Sequence, residues 1–522
     1  MIFYELTQFR KGVSMAQPFL ILPQDENNQR LVRNVRPAGW KNPEPASCYN
    51  LAVIGAGTAG LVAAAGAAGL GAKVALIEGN LFGGDCLNTG CVPSKALIRS
   101  GRAAYDAKNA VEFGVTGSRE STVDFGAVMD RMRRIRAEIS AHDSVERFSK
   151  ELGIDVFFGN GKFTGPDSVE VEGKQLRFKK AAICTGSRAA APPIPGIEEA
   201  GYLTNENVFQ LTELPERLLV IGGGTIGCEL SQAFARMGSE VTVIETAGHL
   251  LMREDTDAAE IVQQALVRDG VRLVLNAKIR KAGKRGAEKV LFVEQHVKTI
   301  EIDGDAILAG VGRLPNVQGL NLEAARVAYD VRTGVKVNER LQTSNPHIYA
   351  AGDICSPYQF THTADALARI VIANALFLGR RKESSLVIPW CTYTDPEISH
   401  VGMSEKEARD IGIDVLTLTI PLQDVDRAVL DGEAEGFARV LLKKGSDTIL
   451  GATLVARHAG EMINEVLLAM TAGLGLSDIA RTIHPYPIQA EVIKKLSDAY
   501  NKTRLTPFIK NALSLWLKWR RT

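Results

Sequence analysis

The chain has 522 residues, of which 45% are hydrophobic and 23% are charged, and its formal net charge is +1. This length predicts roughly three or four globular domains, and the balanced charge excludes a bulk attraction to nucleic acid. Seven cysteines in so long a chain are not typical of a secreted disulfide scaffold and favour a cytoplasmic protein.

The N-terminal residues 1–47 are polar and rich in proline, which predicts an extended arm. They lack a basic start followed by an apolar core, so no secretory signal is expected. The uncharged stretch 45–72 is long enough to suggest a membrane span. Its six glycines favour instead a strand, a tight turn and a close-packed helix.

One pattern, a strand, a glycine turn, a helix and a second strand ending in an acid, occurs twice. Glycine allows the tight turn, the approach of the backbone to a pyrophosphate and the packing of the helix, whose free N–H groups bind phosphate. The terminal carboxylate suits ribose hydroxyls. Two copies therefore predict two dinucleotide sites. The positions are Gly55, Gly57, Gly60 and Glu78 in the first copy, and Gly222, Gly224, Gly227 and Glu245 in the second.

The acid of the second copy, Glu245, bears on the choice of nicotinamide cofactor. A carboxylate there would face the 2′-phosphate of NADPH, and like charges at close range are unfavourable. NADH is therefore expected. The nearby Arg253 would offset the repulsion, which leaves NADPH as the alternative.

The patterns outside the two copies predict further elements. Residues 94–150 are expected to be helical, and residues 154–184 alternate like a short antiparallel meander. Beyond residue 386 the pattern changes to mixed strands and helices that end near Tyr500. We therefore expect an α/β fold with two doubly wound, Rossmann-like domains and a C-terminal α+β domain.

Cys86 and Cys91 lie in the segment GGDCLNTGCVPSK, residues 83–95. Two cysteines five positions apart are, by themselves, as often structural as reactive. The whole segment resembles the redox centre of the class I pyridine nucleotide–disulfide oxidoreductases, which include dihydrolipoyl dehydrogenase, glutathione reductase and mercuric reductase. The resemblance covers residues 48–500.

Four further segments resemble motifs of this family. Residues 183–187 resemble the strand that leaves the flavin domain, and residues 312–316 resemble the segment that returns to it. Residues 348–353 resemble the second flavin motif, in which Asp353 would hold the ribityl and phosphate region of FAD, and residues 393–398 resemble the start of the dimer-interface domain. The resemblance implies FAD at the first copy, NAD(P)H at the second, and a homodimer. The additional cofactor-binding positions that it implies are Gly84, Thr185, Gly186, Arg313 and Asp353.

The resemblance also divides the chain into six parts. These are an N-terminal arm at 1–47, the first part of the FAD-binding domain at 48–199, the NAD(P)-binding domain at 200–316, a return segment of the FAD-binding domain at 317–385, an interface domain at 386–500 and a tail at 501–522. The tail predicts an amphipathic helix with two tryptophans beside a basic end. Such a helix either docks on its own dimer or attaches the chain weakly to a membrane surface.

A route for electrons follows from the same resemblance. Reducing equivalents pass from the nicotinamide through FAD to a Cys86–Cys91 disulfide, with Cys91 beside the flavin and Cys86 as the thiol that meets substrate. Both cysteines precede a predicted helix, whose dipole would lower their pKa. Lys95 and Glu229 resemble an ion pair next to the flavin ring. The alternative for Glu229 is a polar position on a helix surface.

One segment departs from the family's pattern. The members that act on disulfides carry a His-Pro…Glu dyad near the C-terminus, donated across the dimer for acid–base chemistry. Here, alignment on Glu491 places Tyr486 at the histidine position and His484 two residues earlier. A phenol has a pKa of about 10, so we expect poor turnover of lipoamide or glutathione disulfide. His484 stays open between a functional and a structural role.

Mercuric reductases also carry a tyrosine at this position, but two of their features are missing. No cysteine follows Cys391 to form their C-terminal pair, and residues 1–47 hold no cysteine for their N-terminal metal-binding domain. The segment around His362 resembles theirs, although this histidine is interpreted as a core residue. The chain thus resembles a mercuric-reductase-like branch that reduces a metal ion such as Hg(II), or a thiol or disulfide compound, with no resident metal. The alternatives are a dihydrolipoyl dehydrogenase with altered acid–base chemistry, and a flavin redox sensor or complex subunit with negligible turnover.

Overall fold

The computed structural model describes residues 21–116, 122–296 and 298–521. Its first part supplies most of one large sheet and the helices on both sides of it. The elements are α1 (Glu26–Val35), β1 (Tyr49–Ile54), α2 (Thr58–Gly69), β2 (Val74–Glu78), α3 (Gly84–Asn88), α4 (Cys91–Asn109), α5 (Phe125–Ile139), β3 (Asp155–Phe158), β4 (Lys162–Gly165), β5 (Ser168–Val171), β6 (Lys174–Ile183), β7 (Ser187–Ala189) and α6 (Ile197–Ala200).

Helix α1 corrects the prediction of an extended arm for residues 26–35. Its start is capped by Asp25, whose side chain accepts a hydrogen bond from the Asn28 backbone N–H at 2.8 Å. Leu31 and Val35, four residues apart on one face, are fully buried in the core of the large sheet. The capping residue and this spacing were present in the sequence, but the surrounding prolines outweighed them.

The second part of the chain repeats the architecture on a smaller scale. Its elements are β8 (Arg217–Ile221), α7 (Thr225–Met237), β9 (Glu240–Ile244), α8 (Thr256–Arg268), β10 (Arg272–Val274), β11 (Ala277–Arg285), β12 (Glu288–Gln295), β13 (Lys298–Gly304), β14 (Ala306–Ala309) and β15 (Arg313–Pro315). The parallel sheet has the order β10-β9-β8-β14, and β11, β12 and β13 form a separate antiparallel sheet.

The chain then returns to the first sheet through β16 (Tyr329–Asp330), β17 (Gly334–Val335), β18 (Ile348–Ala350) and α9 (Thr361–Leu376). The first sheet has the order β3-β2-β1-β6-β5-β4, with β18 paired to β6. Strands β1, β2, β3, β6 and β18 pair in parallel, whereas β4, β5 and β6 pair antiparallel. Strands β4, β5 and β6 confirm an antiparallel meander for residues 162–183, whereas β3, at the start of the predicted segment 154–184, pairs in parallel with β2.

The C-terminal part is a mixed α+β unit, as predicted. Its five-stranded antiparallel sheet has the order β19-β20-β23-β22-β21. The elements are β19 (Pro389–Thr392), β20 (Glu397–Gly402), α10 (Glu405–Asp410), β21 (Val415–Pro421), α11 (Asp426–Leu430), β22 (Phe437–Lys443), β23 (Ile449–Ala456), α12 (Ala459–Met462), α13 (Asn464–Ala472), α14 (Leu476–Ile479), α15 (Glu491–Thr503) and α16 (Pro507–Trp519).

Two helix contacts position the cysteine segment. Helix α2, built of alanine and glycine with little else, packs closely against α9. Helix α4, which begins at Cys91, packs against α7 of the second unit. A Cβ on Gly101 of α4 would lie 3.2 Å from the Ala233 Cα of α7, so the two backbones approach closely. In the part of the chain that the structure describes, every helix is too short or too polar to cross a membrane.

Candidate functional site

A cleft of about 2950 Å³ lies at the carboxyl ends of β1, β2 and β18, between the first unit and helix α7 of the second. In open α/β sheets this edge is where ligands bind. The cleft brings together twelve of the residues predicted from sequence. They are Gly55, Gly57, Glu78, Gly84, Cys86, Cys91, Lys95, Thr185, Gly186, Glu229, Arg313 and Asp353.

The first glycine turn is shaped for the close approach of a ligand backbone or phosphate. Gly55 has φ +103°, and a Cβ there would lie 2.3 Å from the Cys184 carbonyl oxygen. A Cβ on Gly60 would lie 1.8 Å from the Gly55 oxygen, so this residue lets helix α2 meet the strand. Helix α2 starts after Gly57, which offers no side-chain cap. Its first N–H groups therefore face the cleft as a phosphate cradle.

Glu78 closes this first turn from the end of β2. Its carboxylate accepts hydrogen bonds at 2.6 Å from the backbone N–H groups of both Ala56 and Asn80. Burial raises the pKa of Glu78, while these hydrogen bonds and Arg36 act in the opposite direction. The carboxylate is thus fixed against the turn, with its position at the cleft wall suited to ribose hydroxyls.

The second glycine turn repeats this plan outside the wall of the main cleft. Gly222 has φ +101°, and a Cβ on Gly227 would lie 2.1 Å from the Gly222 oxygen. The Glu245 carboxylate accepts from the Gly223 N–H at 2.7 Å and from the Ala247 N–H at 2.8 Å. Burial opposes the charge, but these hydrogen bonds lower the pKa of Glu245. Helix α7 starts after Gly224, where a Cβ would meet no atom within 4 Å, so this turn stands open.

Cys86 and Cys91 lie together at the floor of the cleft as free thiols. Cys91 is the first residue of α4, and its Sγ lies 3.4 Å from the Thr361 hydroxyl. A hydrogen bond from the Cys86 thiol, helped by Thr361 and by the charge of Lys95, lowers the pKa of Cys91. The same hydrogen bond, together with burial, raises the pKa of Cys86.

The prediction that both cysteines share a lowered pKa is therefore wrong for Cys86. This residue precedes α4, as predicted, but it also lies inside the short helix α3. Because it donates its proton to Cys91, the negative charge of the pair is held on Cys91 alone. The pair is asymmetric, which the sequence spacing did not reveal.

Lys95 and Glu229 form an ion pair across the two units, with 2.8 Å between Nζ and Oε2. The predicted ion pair therefore forms, and because Glu229 is only 3% exposed, the alternative of a polar position on a helix surface is wrong. Its other carboxylate oxygen accepts from the Tyr393 backbone N–H at 2.9 Å. The Lys95 ammonium also lies 4.6 Å from the centre of the Tyr393 ring. Burial opposes the ammonium charge, but Glu229 raises the pKa of Lys95.

Tyr393 is a site residue that the sequence analysis did not single out. It stood in the segment 393–398, which was assigned only to the start of the interface domain. The structure places its ring on the wall of the cleft, next to Lys95. The one local feature that could have indicated Tyr393 is an aromatic residue two positions before the Asp395–Pro396 pair.

Asp353 lies on the wall of the cleft, after β18, in a hydrogen-bonded group with Arg313. The Ser187 hydroxyl donates to Asp353 Oδ2 at 2.6 Å and accepts from Arg313 Nε at 2.7 Å. Arg313 also pairs with Asp85, the residue before Cys86. Burial raises the pKa of Asp353, against the effect of Ser187. Ser187 and Asp85 were missed because they join segments more than a hundred residues apart.

His362 lies on the cleft wall, so its interpretation as a core residue is wrong. It is exposed and stacks on Phe360 with ring centres 5.3 Å apart. Its Nε2 lies 2.7 Å from the Pro389 carbonyl oxygen. Because the adjacent residue Thr361 contacts Cys91, His362 lies near the cysteine pair in space.

The C-terminal residues do not reach the cysteines within one chain. His484 Nε2 lies 2.9 Å from a carboxylate oxygen of Glu465. Tyr486 is 71% exposed, and its hydroxyl donates to Asp426 at 2.9 Å. The Oε2 atom of Glu491 is buried without a hydrogen-bond partner among the described residues. His484, Tyr486 and Glu491 are absent from the wall of the cleft.

Comparison with known proteins identifies the family. Residues 49–368 match the family described as pyridine nucleotide-disulphide oxidoreductase, and residues 388–497 match its dimerisation domain. Mercuric reductase of Staphylococcus aureus is 33% identical over 507 aligned positions, and the alignment covers 95% of this chain and 91% of that protein. Dihydrolipoyl dehydrogenase of Bacillus subtilis strain 168 is 32% identical, over 85% of this chain and 96% of its own.

Solved structures agree with this match. The HOCl-induced flavoprotein disulfide reductase RclA from Escherichia coli superposes with a TM-score of 0.77 at 30% identity, over 86% of this chain and 99% of that chain. LpdA from Mycobacterium tuberculosis, at 24% identity and a TM-score of 0.79, shares the fold over 86% of this chain and 99% of its own. The chain is therefore an oxidoreductase of the pyridine nucleotide-disulphide oxidoreductase family, which uses FAD and NAD(P)H.

Proposed function

We propose that this enzyme transfers two electrons from NADH through FAD to a Cys86–Cys91 disulfide, and from the dithiol to a metal ion such as Hg(II) or to a thiol or disulfide compound. One observation carries the proposal. The first glycine turn, the cysteine pair and the Lys95–Glu229 ion pair line a single continuous cleft. A structural cysteine pair has no need of an open cleft or a buried charge beside it.

The residues of the first unit fit FAD. The Gly55–Gly57 turn and the start of α2 would hold its pyrophosphate, and Glu78 would hold a ribose. Gly84 also fits, since a Cβ there would lie 2.6 Å from the Gly57 Cα and would narrow the same cradle. Asp353 and Arg313 would hold the middle of the molecule. When bound, FAD supplies two-electron transfer between a reduced nicotinamide and a disulfide.

The chain's own residues divide the work of the reduced pair. Cys91 holds the negative charge, stabilised by the Thr361 hydroxyl and the Lys95 ammonium. Cys86 holds the proton and, once deprotonated, becomes the nucleophile that meets the acceptor. Glu229 and Tyr393 keep Lys95 in place beside Cys91.

The surroundings of Tyr486 favour a metal ion over a disulfide as the acceptor. Reduction of a disulfide needs an acid that protonates the leaving thiolate, whereas a metal ion takes electrons from thiolates directly. The hydrogen bond to Asp426 raises the pKa of Tyr486 above its already high value, which makes it a poor acid near neutral pH. The balanced reaction is NADH + Hg(II) → NAD⁺ + H⁺ + Hg(0).

A second candidate, a dihydrolipoyl dehydrogenase, is favoured by one observation. His484 and Glu465 form a His–carboxylate pair of 2.9 Å on the interface domain. Such a pair has the chemistry of an acid–base dyad. In this alternative, His484 takes the role that Tyr486 cannot perform.

We also infer that the enzyme is a cytoplasmic homodimer assembled through residues 388–497. The match of these residues to the family's dimerisation domain supports this inference. A dimer is required by either candidate function if the C-terminal residues are to act on the cysteines, because one chain does not bring them to the cleft.

An acceptor screen tests the proposal. Purified enzyme is assayed with NADH and with NADPH against Hg(II), lipoamide and glutathione disulfide. We expect steady NADH oxidation with Hg(II) and poor turnover of lipoamide, which Tyr486→His improves. Tyr358→His, at another exposed tyrosine, is the matched control. Brisk lipoamide turnover that is lost in His484→Gln would replace the metal reductase by the dihydrolipoyl dehydrogenase.

A further inference from the structure

Helix α16 is the last helix that the structure describes, and none of its residues lines the cleft. It begins after Thr506, whose hydroxyl accepts a hydrogen bond from the Ile509 N–H, and proline stands in its first turn. It lies beyond residues 388–497, which match the dimerisation domain. None of its residues is buried. The helix is therefore capped at its start, and its side chains lie exposed on the surface of the subunit.

The side chains of α16 separate by polarity, except that Arg520, just after the helix, falls on the apolar side and lies over the Trp516 ring. At 100° per residue, the apolar residues from Phe508 to Trp519 occupy one broad face, and Lys510, Lys518 and Arg521 share the opposite face with two small polar residues. Phe508 is 82% exposed and Trp519 is 69% exposed. Exposed aromatic residues on a helix of this polarity are typical of one that lies at a lipid–water interface.

The charge of this region has one sign. After Asp498 the chain contains six lysines and arginines and no acidic residue, although its total net charge is only +1. A basic segment beside exposed apolar side chains is attracted to anionic lipid headgroups. The rest of the chain holds 55 lysines and arginines against 60 acidic residues, a weak negative charge spread over a whole subunit, whereas an anionic bilayer presents a continuous negative surface to this helix.

We propose that α16 docks on the surface of an anionic lipid bilayer and attaches the enzyme peripherally. The helix has 13 residues and is about 20 Å long, which is shorter than a bilayer core of about 30 Å. It therefore lies in the plane of the interface, with its tryptophans at the headgroup level and its lysines and arginines toward lipid phosphates. This attachment is independent of which acceptor the cleft reduces.

Co-sedimentation with vesicles tests this attachment. The full-length protein is mixed with vesicles of phosphatidylcholine containing phosphatidylglycerol, and with vesicles of phosphatidylcholine alone. We expect binding to the anionic vesicles that weakens in high salt. A chain stopped after Leu505, which leaves α15 complete, is expected to bind at least about tenfold more weakly. Its flavin absorbance and its NADH oxidation should stay unchanged.

Substitutions separate the apolar and the charged contributions. Trp516→Ser with Trp519→Ser, and Lys510→Glu with Lys518→Glu, are each expected to weaken binding about tenfold. The control, Lys278→Glu with Lys284→Glu, reverses two exposed charges on β11 and should bind like the natural chain.

Two results would overturn the proposal. Equal sedimentation of the full-length and shortened chains would show that the tail does not contact lipid. Self-association that depends on the tail in sedimentation velocity, without vesicle binding, would assign α16 to a second copy of the chain.

Discussion

The two glycine turns share one hydrogen-bonding plan but differ in how far they are enclosed. In each, the acid at the end of the second strand accepts from the backbone of the turn, at 2.6 Å for Glu78 and at 2.7 Å for Glu245. In the first helix Ala59 is 5% exposed, whereas Ile226 at the corresponding place in the second helix is 37% exposed. The repeat in the sequence therefore does not extend to the surroundings of the two turns.

Additional segments enclose the first turn. The backbone of Gly84 in α3 lies against Gly57, and Arg36, which follows α1, donates to the Gly79 carbonyl at 3.1 Å. Trp40 packs edge-on against Phe158 at the same end of the cleft. The same glycine-turn motif is therefore used for two kinds of cofactor site. The enclosed copy suits a cofactor that stays bound, and the open copy suits one that enters and leaves in each cycle.

The largest expected effect comes from the enclosed side. Cys91→Ser should lower acceptor-dependent NADH oxidation by at least about 10³-fold. Without Cys91 no disulfide forms with Cys86, so electrons cannot pass from the flavin to the cysteine pair. NADH affinity at the open turn, measured by fluorescence titration, should not change. Cys48→Ser, at a cysteine outside the cleft, is the control. Turnover that survives in Cys91→Ser would make the pair structural.

Replacement of the two acids compares the turns directly. Glu78→Ala leaves the part-buried Ala56 N–H and the exposed Asn80 N–H without their side-chain acceptor, which costs about 1–3 kcal/mol of unfolding free energy. Glu245→Ala should cost less, since water reaches the open turn. Urea unfolding of both flavin-free variants measures the difference. Equal losses would mean that the two turns are enclosed alike in solution.

The choice between NADH and NADPH is a smaller effect confined to the open turn. Glu245→Ala removes the carboxylate expected to repel a 2′-phosphate, so the relative use of NADPH should rise up to about tenfold, or about 1.4 kcal/mol. The measured quantity is the ratio of kcat/KM for the two nucleotides. Glu240→Ala, at an exposed acid of the same strand β9, should leave the ratio unchanged. A natural chain that already prefers NADPH would contradict this interpretation of Glu245.

The smallest effect concerns Lys95, which joins the two units. Since the pKa of Cys91 is lowered partly by this ammonium, the thiolate persists to lower pH and is lost as pH falls through that pKa. Lys95→Met should move the loss upward by about half to one pH unit. The readout is the pH at which the long-wavelength absorbance of the reduced enzyme disappears. Lys108→Met, at an exposed lysine of the same helix, is the control, and identical profiles for the two variants would exclude the charge effect.

The fold was largely predictable because its signals are local. Gly55, Gly60 and Glu78 lie within one short segment, and the requirements of a tight turn can be recognised from that segment alone. Helix α1 was not predicted from the sequence. Asp25 caps this helix and Leu31 is buried, but this burial exists only when the helix packs on the first sheet. The local pattern, rich in proline, favoured an extended segment, whereas tertiary packing stabilises a helix at the same residues.

The site was predictable in its members but not in its electrostatics. The cysteine segment pointed to Cys86, Cys91 and Lys95, and the structure brings them together. The lowered pKa of Cys91 depends on the hydrogen bond from Cys86 and also on Thr361, which lies 270 residues away in the chain. Tyr393 escaped notice for the same reason, because its role exists only beside a helix from another domain.

The ion pair between Lys95 and Glu229 has a consequence for how such sequences diverge. The two residues are 134 positions apart, on helices α4 and α7, yet a buried carboxylate without its cation is strongly destabilising. A change at one position alone therefore lowers stability, and a matching change at the other position offsets the loss. Among relatives of this chain, positions 95 and 229 are expected to covary.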